Sequence, residues 1–367
     1  MRQKKGLRFS LQNTMPTNKK PFIIPVFIPH LGCPHRCVFC NQVAITGQAH
    51  SSFFPEEIRN GIRKFLQFGN NRHGTVQIAF YGGNFLGMPG PFIRSCLLTG
   101  TEFILKGRVD SLRFSTRPDT VTPAGLSLLR DFPVSTIEIG VQSMNNEVLR
   151  RSARGHTADD TRIASERIKA EGYELGLQMM VGLPGDDRQS ALDTGRQIAD
   201  LSPDFVRIYP CVVLEHSPLE RLWNAGGFTP LSLDQAVEIT KELYILFKKR
   251  RIRVVRMGLQ ASRDFGEGSA IVGGPFHPAF GHMVISRIFL GTIRQALSLF
   301  PTDADTLRID VHPKNISNVR GLKNGNIRIL EKEFCLARIK VHGDNAIDLD
   351  TLCVQGSKLG LPWTTRS

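Results

Sequence analysis

From Phe22 onward, the sequence alternates short β-branched or apolar runs with longer amphipathic runs. This alternation predicts strands and helices in turn, and it favours an α/β fold with a parallel sheet. The chain has 367 residues, of which 41% are hydrophobic, so it is long enough to bury a large core. The predicted strands are Phe22–Pro29, Val76–Tyr81, Ser111–Ser115, Thr136–Val141, Glu174–Val181 and Phe205–Tyr209.

Amphipathic segments follow these strands and predict the helices of a (β/α) architecture. Six strand–helix units predict a partial (β/α)6 barrel of the TIM type, in which functional residues collect at the carboxyl ends of the strands. The predicted helices are Pro55–Phe68, Pro91–Leu105, Thr122–Arg130, Ala158–Glu171, Arg188–Leu201 and Leu233–Lys249.

The alternation ends near Gly258, and the remaining sequence predicts a small C-terminal α+β extension. Its predicted elements are a helix over 283–297 and strands near 307–311 and 328–341. The predicted organisation is therefore a basic, disordered tail over 1–20, a barrel over 21–258 and an extension over 259–367.

The net charge of +14 is concentrated in two short segments. Six Lys and Arg residues and no acid fall within the first twenty residues, and six more lie between Lys248 and Arg256. Such runs are typical of nucleic-acid contacts, but a solvated helix end and a disordered tail explain both of them without any partner. No apolar stretch reaches the roughly 18–20 residues that a membrane span needs. An odd and sparse count of seven cysteines and the absence of an apolar leader before Phe22 indicate a cytoplasmic protein.

Three cysteines, Cys33, Cys37 and Cys40, follow the first predicted strand in a C-x3-C-x2-C pattern. Three thiolates this close together suit three corners of an iron–sulfur cube. Such cubes normally take four cysteine ligands, and the next cysteine in the chain is Cys96. The fourth iron would therefore be open, and an open metal position is typical of a catalytic site.

Two other interpretations of the cysteines remain open. With His35 or His30 they would form a Cys3His zinc site, although zinc sites more often pair two C-x2-C knuckles and this chain has no second one. A disulfide is disfavoured, because the number of cysteines is odd and small for the length of the chain.

Phe39, directly before the last cysteine, completes a motif that resembles the signature of the radical S-adenosylmethionine (radical SAM) superfamily. The resemblance implies a [4Fe–4S] cluster on Cys33, Cys37 and Cys40, with SAM chelated to the open iron. It also implies reductive cleavage of SAM to a 5′-deoxyadenosyl radical, which abstracts hydrogen from a substrate.

The segment Tyr81-Gly-Gly-Asn-Phe85 follows the second predicted strand. A pair of glycines lets the backbone approach a ligand closely. The segment resembles the glycine motif of the superfamily, which receives the methionine amino group of SAM. Gly82, Gly83 and Asn84 are therefore expected to contact the cofactor, although the family often has Glu, Thr or Ser at the position of Asn84.

Further motifs at the ends of the third to fifth strands narrow the resemblance to one branch, over roughly residues 22–260. This branch contains oxygen-independent coproporphyrinogen dehydrogenase and the radical SAM domain of the Elongator catalytic subunit, here without an acetyltransferase domain. Gln142 and Arg154 match residues that contact the ribose and the carboxylate of SAM. Ser115 and Gln178 stand where the porphyrinogen enzyme has acidic residues, and the resemblance implies ribose contacts there.

The substrate is not readable from the sequence. The Elongator-like relatives suggest a tRNA base, which suits the basic segments, and the other relatives suggest porphyrinogen oxidation. A non-catalytic heme- or RNA-binding relative would keep the same motifs. The enzyme interpretation implies a reductant such as flavodoxin or ferredoxin, and it leaves the oligomeric state open.

Overall fold

The computed structural model describes residues 21–28, 32–41, 55–67, 74–259, 270–299, 305–354 and 357–364. The tail over 1–20 lies outside the described residues, as does His30. The first part of the chain consists of β1 (Phe22–Ile28), α1 (Pro55–Gln67), β2 (Val76–Gly82), α2 (Gly90–Leu105), β3 (Ser111–Thr116), α3 (Pro123–Leu129), β4 (Val134–Gln142), α4 (Asn146–Arg151), α5 (Ala158–Ala170), β5 (Glu174–Val181), α6 (Arg188–Asp200), β6 (Phe205–Pro210), β7 (Val213–Leu214), α7 (Pro218–Asn224), α8 (Leu233–Lys249) and β8 (Arg253–Met257).

Seven of these strands form one parallel sheet in the order β1-β2-β3-β4-β5-β6-β8. Their carboxyl ends therefore meet at a single edge, and the predicted partial barrel is confirmed. The sequence analysis missed β8, because its Arg-Val-Val-Arg-Met sequence reads as part of a basic segment. This strand is the last of the sheet among the described residues, and its side chains are exposed or partly exposed, so arginine is tolerated there.

The helices pack on the outer face of this sheet because the strands direct their largest apolar side chains to that side. Ile78, Phe80 and Phe114 are fully buried there, and Phe80 and Phe114 both stack on Phe85.

Residues next to the first turn determine where a helix begins. For example, Thr157 and Asp160 form a reciprocal capping box at the start of α5.

The inner face of the sheet is polar, and its contacts show how strongly the sheet curls. The Arg207 Nη2 of β6 lies 3.0 Å from the Tyr81 hydroxyl of β2. These strands are four positions apart, which in a flat sheet corresponds to about 19 Å. The sheet therefore closes around its inner side chains as a barrel does.

A buried ionic network fills this interior below the carboxyl edge. Glu138 accepts hydrogen bonds from Arg113 Nη2 at 2.7 Å and from the Tyr81 hydroxyl at 3.1 Å, and its other oxygen lies 2.6 Å from Arg207 Nε. Burial raises the pKa of Glu138, but Arg207 and Arg113 outweigh this effect and hold the pKa below its usual value. One buried carboxylate thus faces two guanidinium groups, of which Arg113 is buried and Arg207 is 15% exposed.

The rest of the chain forms a small α+β unit, as predicted. It consists of β9 (Ile271–Gly273), α9 (Phe280–Leu299), β10 (Thr306–Val311), α10 (Ile316–Arg320), α11 (Gly325–Glu333), β11 (Arg338–Gly343), β12 (Thr351–Val354) and β13 (Ser357–Gly360). Strands β11, β10, β12 and β13 form a second sheet in that order, and β9 pairs with β7.

The strand predicted over 328–341 was wrong in its first half, because that segment belongs to α11. Ile327, Leu330 and Phe334 recur at helical spacing and pack into the core of the extension, with Leu330 fully buried. Only the second half of the prediction coincides with a strand, β11.

The second basic segment joins the end of α8 to the start of β8, so it lies at the amino-terminal edge of the sheet. Carboxylates compensate much of its charge: Arg250 pairs with Asp200, and Arg253 pairs with Glu174 at 2.6 Å. This position is opposite the edge that carries the cysteine segment. Among the described residues, none of the helices is both long and apolar enough to cross a membrane.

The buried network gives a testable prediction. The Glu138→Gln variant should lose about 3–5 kcal/mol of unfolding free energy, because the buried Arg113 and the largely buried Arg207 are left without an anion. Glu138 has a lowered pKa, so its contribution is present above the unfolded value of about 4.3 and is lost as the pH falls through the folded value. The difference between the two proteins in urea unfolding should therefore shrink in acid.

Glu171→Gln is the matched control for this measurement. It removes an exposed pair with Arg130 and should change the unfolding free energy by only about 0–1 kcal/mol. Equal losses in the two variants would contradict the assigned role of the network.

Candidate functional site

The cysteine segment, residues 32–41, follows β1 at the carboxyl edge of the sheet. Cys37 is buried, whereas Cys33 and Cys40 are partly exposed, and none of the three forms a disulfide bond in the described part of the chain. Within the described residues, no three His, Cys, Asp or Glu side chains are close enough to hold a single metal ion. A cube does not need such convergence, because each of its thiolate ligands binds a different iron.

Backbone hydrogen bonds fix this segment although it lacks regular secondary structure. Val38 donates to the Ser152 carbonyl at 3.1 Å and accepts from the Leu219 backbone at 2.8 Å. The Asn41 side chain donates to the Glu215 carbonyl at 2.6 Å. Phe39 packs against the small apolar cluster that includes Leu219. The loop is therefore held against the segments that follow α4 and β7.

Gly82, the first glycine of the predicted cofactor motif, is required by the backbone itself. Its φ is +115°, and a Cβ at this position would lie 2.5 Å from the carbonyl oxygen of Ile28 in β1. Only glycine fits this approach of the two strands at the edge. Gly83 follows at the carboxyl end of β2, where it is partly exposed and remains a predicted contact of the cofactor.

Asn84 is fully buried, and its side chain bonds inside the protein. Its Nδ2 donates to the Gly32 carbonyl at 2.8 Å, and its Oδ1 accepts from the Arg117 backbone at 3.0 Å and from the Thr116 hydroxyl at 2.7 Å. A Cβ at Gly87 would lie 2.2 Å from this Nδ2, so the turn is tightly packed. One amide thus joins the cysteine segment to the ends of β2 and β3.

Gln142 ends β4 in a strained conformation. Its φ is +66°, and the register of β4 against β5 shifts between Gly140 and Gln142. The Gln142 Oε1 accepts a hydrogen bond from Gln178 Nε2 at 3.2 Å. The two predicted ribose contacts are therefore adjacent at the carboxyl edge. The left-handed backbone of Gln142 is of a kind that is enriched at functional sites when the residue is not glycine.

Ser115, another predicted ribose contact, lies on β3, in register with Glu138.

Arg154 brings a buried positive charge to the cysteines. Its Nη1 lies 3.4 Å from the Cys37 sulfur, and its Nη2 donates to the Gly140 carbonyl at 2.6 Å. Its remaining nitrogen, Nε, is buried and has no hydrogen-bond partner among the described residues. The structure thus places the predicted carboxylate ligand directly beside the predicted cluster ligands.

Two further residues of this site, Arg117 and His156, were missed by the sequence analysis. Burial, together with Arg154 and Arg117, lowers the pKa of His156 to about 3, so its ring is neutral at physiological pH. The His156 Nε2 lies 3.2 Å from the Val141 carbonyl and therefore carries the proton, which leaves Nδ1 as a buried acceptor. A signal for Arg117 existed, because its Arg-Pro-Asp segment directly follows β3.

Three buried nitrogen atoms around the cysteine segment lack partners within the described part of the chain: Arg117 Nη1, Arg154 Nε and His156 Nδ1. Buried polar atoms are normally hydrogen-bonded, so this cluster of exceptions indicates a missing ligand. Two of these atoms are positively charged donors and one is an acceptor. Burial raises the pKa of Cys33, while Arg117 and Arg154 oppose this effect. The surroundings therefore fit an anionic cluster and a ligand with carboxylate and amino groups.

Cys211, beyond β6, does not belong to this site. Its thiol is 1% exposed, and burial raises its pKa to about 12. A thiol that is both protonated and inaccessible acts as a small apolar side chain.

Comparisons with known proteins agree with this geometry. The sequence matches the radical SAM superfamily over residues 27–198 and the radical SAM C-terminal domain over residues 203–289. It is 33% identical over 245 residues to a tRNA uridine(34) acetyltransferase of Methanocaldococcus jannaschii, covering 56% of this chain and 45% of that protein. It is 23% identical over 262 residues to human Elongator complex protein 3, covering 59% of this chain and 48% of that protein.

The fold is similar to that of the archaeal Elp3 of Methanocaldococcus infernus, with a TM-score of 0.59 at 23% identity, over 75% of this chain and 63% of that one. The chain spans about half the length of the two sequence relatives. The two matched regions cover the curled sheet, the cysteine segment and the start of the extension. The chain therefore belongs to the radical SAM superfamily.

Proposed function

We propose that this protein is a radical SAM enzyme that acts on a tRNA base. The cofactors would be a [4Fe–4S] cluster on Cys33, Cys37 and Cys40 and a SAM molecule at the open iron. These cofactors supply a 5′-deoxyadenosyl radical, which abstracts hydrogen from the substrate. The observation that carries the proposal is the group of buried, unpartnered nitrogens beside the three thiols.

The protein's own part in this chemistry is to bind, to orient and to exclude water. Arg154 is placed to hold the SAM carboxylate, since its buried Nε is a charged donor that has no partner within the described residues. Gln142 and Gln178 present amides for the ribose at the same edge. The network around Glu138 closes the barrel below the site, so the substrate would enter from the carboxyl edge. A reductant such as flavodoxin or ferredoxin would supply the electron.

The tRNA assignment draws on the relatives named tRNA uridine(34) acetyltransferase. Charge near the cysteine segment supports it: Arg36 is exposed, and the structure shows no carboxylate partner for it among the described residues. The basic segment at the other edge supports it less, because three of its six cations are ion-paired to described residues and the segment is remote from the site. An RNA that reaches the site would therefore contact the carboxyl edge.

Anaerobic reconstitution tests the catalytic part of the proposal. The protein should bind iron and sulfide, and with dithionite and SAM it should release 5′-deoxyadenosine. Cys37→Ala should abolish this release and lower the iron content, because only two thiolate ligands would remain to hold the cluster. Cys335→Ala, at an exposed cysteine of the extension, is the control and should leave both quantities unchanged. Bound zinc without iron, or an unaffected Cys37→Ala variant, would refute the assignment.

Binding of unmodified tRNA as a function of salt concentration tests the substrate. Arg36→Ala should weaken the binding. It should also reduce the slope of the logarithm of the binding constant against the logarithm of the salt concentration by about one, as expected for one lost phosphate contact. Lys249→Ala removes an exposed charge at the opposite edge and should not alter the binding. Equal effects of the two variants would show that the RNA does not approach the site, and turnover of a porphyrinogen would identify the other branch.

A further inference from the structure

Arg117 is the most completely buried charged residue around the cysteine segment, with 2% exposure. Its Nε and Nη2 donate to the two oxygens of Asp119 at 2.9 and 3.1 Å. This fork fixes the plane of the guanidinium group and leaves Nη1 as its remaining donor. That atom is buried and has no hydrogen-bond partner within the described residues. An unpaired cationic donor is costly in such a place, so it indicates an acceptor that the protein itself does not supply.

The backbone places Arg117 next to the cysteine segment. Its N–H donates to Asn84 Oδ1, and the other end of the same amide donates to the carbonyl of Gly32, the residue before Cys33. A single side-chain amide thus spans the gap between the two segments.

The two buried arginines approach the cysteine segment at different points. Arg154 lies against the Cys37 sulfur, and Arg117 is joined through Asn84 to Gly32, the residue before Cys33. The positive charge of Arg117 is paired with the carboxylate of Asp119, whereas Arg154 bonds to a neutral backbone carbonyl. Positive charge and donors near the sulfur atoms of an iron–sulfur cluster stabilise its reduced, more negative state.

We propose that Arg117 is a positioning residue for the cluster at Cys33. Its Nη1 donates to the sulfur edge of the cluster at that cysteine, and its fixed charge raises the reduction potential. Asp119 holds the guanidinium group in place and partly offsets its charge. This inference rests on the proposed function, because it requires a cluster on the three cysteines.

The test is a dye-mediated redox titration of the reconstituted full chain, without SAM, followed by the EPR signal of the reduced cluster. Arg117→Gln should shift the midpoint potential to more negative values. Arg117→Lys keeps the charge but loses the fork, and its potential should lie between those of Arg117→Gln and the unaltered protein. Asp119→Asn removes the compensating negative charge and should shift the potential in the opposite direction. Arg130→Gln, at an exposed arginine, should leave it unchanged.

A purely structural clamp between Arg117 and Asp119 predicts a different pattern. Both Arg117→Gln and Asp119→Asn would then lower the unfolding free energy and leave the potential as it was, and this result would overturn the proposal. Shifts of the two variants in the same direction would also overturn it. If Arg117→Gln does not fold, the other two variants test the proposal. The midpoint potential should then be more negative in Arg117→Lys and more positive in Asp119→Asn, and unchanged potentials in both would overturn the proposal. A chain that binds no cluster at all would instead refute the proposed function.

Discussion

The hydrogen bonds of one buried amide determine the geometry of the site. Asn84 bonds to Gly32 before the cysteines and to Thr116 and Arg117 at the end of β3. Within the described residues, these bonds join the cysteine segment to the ends of β2 and β3. Because the amide is buried, each of its bonds is made where water cannot replace it. The position of Cys33 relative to Arg117 follows from this arrangement.

Below this edge, the interior of the barrel is held together by ion pairs rather than by an amide. Glu138, Arg113, Arg207 and Tyr81 come from four strands and meet inside the curl of the sheet. Buried ion pairs contribute little net stability, but breaking one is costly, so such a network selects one arrangement of the strands over others. It also provides a closed floor for the site. Chemistry is thereby confined to the carboxyl edge, where the loops carry the cysteines, Gln142 and Arg154.

Much of this arrangement was predictable, because the alternation of strands and helices determines which residues follow a strand end. The cysteine segment and Gly82 lie where the pattern placed them. The burial of Arg117 was not predictable, since the sequence does not show which arginine of a chain with 47 Lys and Arg residues faces inward. The strand β8 was hidden by its arginines. The helix α11 was misassigned because short apolar runs suit either structure.

Asn84 shows another limit of sequence interpretation. Its position in the glycine motif predicts a contact with the cofactor, whereas the structure uses its side chain to connect backbone segments. A motif therefore locates a site more reliably than it assigns a role to each side chain. The contacts of Ser115, Gln142 and Gln178 with SAM stay predictions, and so does the ligand set of Cys33, Cys37 and Cys40.

The central claim is that these three cysteines hold a cluster whose fourth iron is open to SAM. EPR spectroscopy of the dithionite-reduced protein tests it most directly, with and without SAM. The account predicts a [4Fe–4S]⁺ signal whose g-values change when SAM is added, because the ligands of the open iron change. A cluster signal that SAM leaves unaltered would contradict the account.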